Sequence, residues 1–70
     1  MPNTTTRTTG RNLKILLYDK RISQKQVADA IGVSEVTISK LVHGTQPVSV
    51  DKLSKIAEYL GVSMDELLKS

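Results

Sequence analysis

Apolar residues recur along this chain at three- and four-residue spacing, in short blocks bounded by serine and glycine. Leu13, Leu16 and Leu17 share one face of a helix and predict a first helix from about Gly10 or Arg11 to Lys20. Val27, Ala28, Ile31, Val33, Ile38 and Leu41 point inward at helical spacing and predict two more, roughly Gln24 to Ile31 and Glu35 to Val42. Val50, Leu53, Ile56, Ala57 and Leu60 form the stripe of a fourth, Val50 to Leu60. Met64 to Leu68 is long enough for one further turn and a half. No stretch alternates with the period of two that a half-buried strand needs.

The punctuation between blocks agrees with these limits. Ser23, Ser34, Ser49 and Ser63 each precede a block, where a hydroxyl accepts from an orphan backbone N–H. Glu66, three residues after Ser63, is a capping-box partner. Gly32, Gly44 and Gly61 follow blocks, where a left-handed residue ends a helix. Pro47 breaks the loop that starts at His43. Asp51 stands in a first turn, and Lys20 and Arg21 in or after a last one, as the helix dipole favours. Residues 1–9 are polar, threonine-rich and aperiodic, and read as a flexible tail; residues 10–70 read as one domain. The expected fold is all-α, a compact bundle of five short helices.

Composition narrows the chemistry. There is no cysteine, and His43 is the one histidine, so neither a thiolate or histidine-rich metal site nor a Cys/His catalytic pair is available. No paired-carboxylate site, phosphate-cradling loop or nucleophile–base pair is visible, and the chain is expected to be no enzyme and to need no cofactor. No apolar run approaches the roughly 18 residues of a membrane span. The N-terminus lacks the apolar core of a secretory signal, and a cytoplasmic location is expected.

The charge is unevenly placed. The total is +3, but residues 1–43 carry seven Lys and Arg against three acids, while residues 44–70 carry three against four. The surplus therefore lies in residues 1–43, the segment that also holds the second and third helices, an arrangement that suits phosphate contact. On the third helix the inward set leaves Glu35, Val36, Thr37, Lys40 and His43 facing out. A short capped helix with such a row has the shape that enters a DNA major groove. Arg7 and Arg11 have a second reading as a minor-groove arm. His43 has one as a cation at a helix C-terminus, and Val36 one as a marginal core residue.

The stretch SQKQVADAIGVSEVTISKLVHG, followed by VSVDKLSKIAEYLGVSMDELL, resembles the Cro and cI-repressor type of helix-turn-helix domain (lambda-repressor-like) from about Arg11 to Leu68. Gln24, Ala28, Gly32, Ser34, Ile38 and Gly44 sit where that family places such residues. The resemblance implies a sequence-specific regulator of transcription, probing double-stranded DNA with its third helix and acting as a repressor, with two copies on a palindromic operator. It implies base contacts from Ser34, Glu35, Val36, Thr37 and Lys40, and phosphate contacts from Gln24, Lys25, Arg11, His43 and Thr45. Glu35 and Val36 stand where many phage repressors carry glutamines, so adenine readout by glutamine is not available there. Their chemistry suits other edges: Glu35 accepts from cytosine N4–H, Val36 and the Thr37 methyl pack on a thymine methyl, and Lys40 donates to guanine O6 or N7. Val62, Met64, Leu67 and Leu68 are either a dimer surface or the closure of the core. A second functional class stays open, an antitoxin-like or anti-repressor-like module that works through a protein partner.

Overall fold

The computed structural model describes residues 4–46 and 49–69. Five helices follow one another, α1 (Thr4–Lys20), α2 (Gln24–Ile31), α3 (Glu35–His43), α4 (Val50–Leu60) and α5 (Met64–Leu68), with no strand among the described residues. Helix α3 lies between α1 and α2; α4 packs on α2, and α5 bridges α1 and α4. The arrangement is the lambda-repressor-like bundle expected from the sequence.

One three-residue junction is used three times. Arg21-Ile22-Ser23, Gly32-Val33-Ser34 and Gly61-Val62-Ser63 each set a left-handed residue, then an aliphatic one, then an N-cap serine. The aliphatic N–H returns to a carbonyl five residues back: Ile22 to Leu17 at 2.9 Å, Val33 to Ala28 at 2.9 Å and Val62 to Ala57 at 3.0 Å. This satisfies carbonyls that the helix end would orphan, while the aliphatic side chain packs on the core. Each junction thus stops a helix and anchors it, and the first two also cap the next helix through the serine side chain.

The core draws on every helix: Leu13 and Leu17 from α1, Val27 and Ala28 from α2, Ile38, Leu41 and Val42 from α3, Leu53, Ile56, Ala57 and Leu60 from α4, and Leu67 from α5. Ala28 is small and buried on α2, which packs on α3, so a larger side chain there would push helices apart. Val50 does not join its stripe; as the first residue of α4, at the stripe's edge, it is 72% exposed.

Helix α1 begins six residues earlier than the periodicity placed it. Thr4–Thr9, expected in a flexible tail, are helical, and Thr9 and Gly10 are buried. Threonine is a poor helix former, and tertiary packing supplies what propensity does not. Gly10 is the means, because its missing Cβ lets α1 come against the carbonyls of Leu41 and Val42 at the end of α3. Of that expected tail, Met1–Asn3 lie outside the described residues, as does the helix breaker Pro47.

Two polar details hold the last helix. Asn12 on α1 donates through Nδ2 to the carbonyls of Leu67 (2.9 Å) and Lys69 (2.6 Å), filling the open end of α5. The expected capping box at Ser63 does not form. The Glu66 N–H donates to the Ser63 carbonyl at 3.1 Å, and the Glu66 carboxylate pairs with Lys69 at 3.1 Å. In a five-residue helix that tight turn takes the N–H a side-chain cap would claim.

Candidate nucleic-acid interface

Helix α3 is built to present one side. Ile38 and Leu41 are fully buried and Val42 nearly so, which fixes the helix from beneath. Val36, Lys40 and His43, at i, i+4 and i+7, are exposed and share the opposite stripe. Val36 is 62% exposed, which excludes its reading as a core residue. Glu35 is also exposed and stands in the first turn, where a carboxylate suits the dipole. Thr37 is half-buried, and its hydroxyl lies 2.9 Å from Ser34 Oγ. Ser34 Oγ in turn accepts from the Thr37 N–H at 3.2 Å. The two hydroxyls form one unit at the start of the helix, so Ser34 holds α3 in place as well as facing outward.

The start of α2 is more strongly capped. Ser23 Oγ accepts from the Gln26 N–H at 3.0 Å, and Gln26 Oε1 accepts from the Ser23 N–H at 2.7 Å, a complete capping box. Gln24 and Lys25 are the first two helical residues, half-buried and exposed respectively. Their backbone N–H groups belong to the free set at a helix start, next to the positive dipole end. This arrangement suits a phosphate oxygen.

At the other end of α3, His43 Nδ1 lies 2.7 Å from the Ser39 carbonyl oxygen. A carbonyl only accepts, so the ring proton sits on Nδ1. Ser39, half-buried one turn below, was missed by the sequence reading; its signal is only the spacing that puts it four residues before His43. The Thr45 hydroxyl donates to the Lys40 carbonyl at 3.3 Å, and the Thr45 N–H donates there too at 3.0 Å. These bonds finish the helix and occupy the hydroxyl proton that a phosphate contact from Thr45 would use.

Arg11 and His43 come together across α1 and α3. With Arg7, Thr8, Lys14 and Val42 they line an open groove of about 430 Å³. Gly44 lets this happen, since a Cβ there would lie 3.2 Å from the Arg7 Cα. Among the described residues the ion pairs are Lys55–Asp51 at 3.6 Å and Lys69–Glu66 at 3.1 Å, both exposed and both in the acidic half of the chain. Neither engages Arg7, Arg11 or Lys14. No group of acidic or histidine side chains among the described residues is arranged to hold a metal. Among the described residues no helix is long and apolar enough to cross a membrane.

Of the four residues that offered a dimer surface, three close the core instead. Leu67 is fully buried, and Val62 and Met64 are half-buried against it. Leu68 alone is left, at 40% exposure.

A helix-turn-helix family model matches residues 13–67. No curated protein matches the chain significantly. Among solved structures, the clp gene regulator ClgR from Corynebacterium glutamicum superimposes with a TM-score of 0.90 at 26% identity, over 97% of this chain and 72% of that one. The restriction-modification controller protein C.AhdI from Aeromonas hydrophila gives 0.86 at 25% identity, over 93% of this chain and 98% of the other. The DNA-binding domain of BldD gives 0.82 at 23% identity over 97% and 99%, a likeness that speaks for the fold alone.

Proposed function

The chain belongs to the Cro/C1-type helix-turn-helix family of DNA-binding transcription regulators, and from that premise we propose that it is a sequence-specific repressor acting in the cytoplasm. It binds as a Cro-like dimer, one copy on each half of a palindromic operator, with half-sites about 34 Å apart. Helix α3 enters the major groove and α2 lies across the backbone.

The observation that carries this reading is the outward stripe of α3. Val36, Lys40 and His43 stand exposed above a fully buried Ile38 and Leu41, and among the described residues the side-chain hydrogen bonds on this stripe are those of His43 with Ser39. Ser34, Glu35, Val36, Thr37 and Lys40 are assigned to base edges. Gln24, Lys25, Arg11 and His43 are assigned to phosphates, with Gln24 and Lys25 backed by the α2 amides, and Thr45 joins them only by releasing its hydroxyl from the Lys40 carbonyl. Base contacts set the sequence, and phosphate contacts set register and affinity. Repression follows from occupancy, because the family's chemistry is binding.

Selection of bound duplexes from a random pool, repeated at two salt concentrations, tests the proposal. A palindromic consensus with affinity falling steeply in salt is the expected result. No enriched sequence at either concentration rejects it, and leaves a module that works through a protein partner.

A further inference from the structure

The groove between α1 and the end of α3 has a use that its residues specify. Three cations from α1, Arg7, Arg11 and Lys14, line it, and His43 lines it from α3. No carboxylate is among the lining residues. Like charges gathered in a concavity attract an anion, and guanidinium groups match phosphate oxygens in pairs. Arg7 and Arg11 precede residue 13, where the family match begins, so this half of the groove lies outside that match, and Arg7 comes from the early start of α1. Gly10 and Gly44 are the close approaches that hold it there.

Resting on the DNA-binding reading above, we propose that this groove seats a backbone phosphate of the duplex, with Arg7 and Lys14 as contacts beside Arg11, and that His43 joins them only when doubly protonated. The ring geometry is the reason for the last clause. Nδ1 keeps its proton on the Ser39 carbonyl, so in the neutral ring Nε2 carries a lone pair. A lone pair repels a phosphate oxygen. The imidazolium turns Nε2 into a donor without disturbing the bond to Ser39. The groups around the ring are Arg7, Arg11, Lys14 and Thr8 from α1, with Val42 and Ser39 on its own helix. The phosphate brings the negative charge that this set lacks. The chain has one histidine and no cysteine, so a pH dependence of binding that His43→Gln removes is traceable to this ring. Binding therefore takes up a proton, and affinity rises as pH falls.

The test uses the full chain and a labelled duplex of about two helical turns, with affinity measured against salt and against pH from about 8.5 to 5.5. Wild type is expected to tighten several-fold as pH falls. His43→Gln should be flat at the weak level and His43→Lys flat at the tight level. Arg7→Ala with Lys14→Ala should flatten the salt slope by about one to two and weaken binding about tenfold at low salt. If wild type binds and the double variant keeps both slope and affinity, the phosphate seat is overturned and the DNA reading stands. A pH profile unchanged by His43→Gln overturns the part given to His43. If wild type binds no duplex at low salt, the underlying reading fails instead. Inorganic phosphate alone, followed by the His43 ring resonances, separates the sources: resonances that move with it but not with the duplex overturn the backbone assignment in favour of a free anion.

Discussion

Gly10 meets Leu41 with no room for a side chain. A Cβ on Gly10 would strike the Leu41 carbonyl oxygen and come within 2.7 Å of the Val42 one. Both neighbours are backbone, so neither can swing aside. In an open helix, Gly→Ala stabilises by about 1 kcal/mol through propensity. Here overpacking of about 1–3 kcal/mol opposes that gain and wins. Gly10→Ala is expected to lower the urea midpoint and to weaken DNA binding, because α1 must back away from α3. A midpoint that rises would show that α1 does not press on α3 at all.

Arg21 takes the left-handed place in its junction, at φ 56°, where Gly32 has 78° and Gly61 has 72°. That conformation costs a residue with a Cβ about 1–2 kcal/mol. Losing the cation after the last turn of α1 gives back about 0.3–1 kcal/mol. Arg21→Gly should therefore stabilise by about 0.5–1 kcal/mol, read as a higher melting temperature. An unchanged or lower value would mean that the arginine makes a compensating contact.

The serine caps differ in what they hold. Ser23 and Ser34 accept backbone N–H bonds, whereas Ser63 makes no side-chain cap bond. Ser23→Ala and Ser34→Ala should each cost about 1 kcal/mol, and Ser63→Ala less than about 0.5 kcal/mol. Equal losses at all three in denaturant titrations would contradict the bonding pattern. Ser34→Ala should also weaken DNA binding beyond its stability cost, since it frees the Thr37 hydroxyl and loosens the start of α3.

What the sequence made legible follows the range of each signal. Helices α2 to α5 and their ends depend on residues within one turn, such as Ser34 before α3 and Gly61 after α4, and they were read within a residue. The start of α1 depends on Gly10 meeting Leu41, more than thirty positions away, and a threonine-rich stretch carries no local sign of that contact. Arg21 as a left-handed residue was hidden for a different reason, because its type does not favour the conformation. In the site, outward Val36 and Lys40 followed from periodicity, whereas the groove joining Arg11 to His43 exists only once α1 is folded across α3. The Ser39 carbonyl, which sets the His43 tautomer, has no side-chain signature in the sequence.

Asn12, in the middle of α1, ties that helix to the end of α5 through the carbonyls of Leu67 and Lys69. Asn12→Ala leaves two acceptors at the end of a five-residue helix, one part-buried. The expected loss is about 1–2 kcal/mol, concentrated in α5. Hydrogen exchange should show faster opening of α5 amides with little change in α3, and DNA affinity at a temperature well below melting should hold. Uniform acceleration over all five helices would mean that α5 does not open separately.

Val36 and Lys40 allow stability and recognition to be separated. Val36 is 62% exposed, so truncation removes little buried area, and alanine favours the helix by a few tenths of a kcal/mol. Val36→Ala should leave the melting temperature unchanged or slightly raised. If its methyls pack on a thymine methyl, repeating the duplex selection with this variant should relax preference at one position of each half-site and leave the others intact. Lys40, exposed one turn further on the same stripe, offers the matching contrast. As a donor to guanine, Lys40→Ala should cost about 1–3 kcal/mol on the consensus and far less on duplexes altered at that base. A uniform loss over all duplexes, with a salt slope flatter by about one, would instead make Lys40 a phosphate contact. The recognition surface would then reduce to Ser34, Glu35, Val36 and Thr37 at the start of α3.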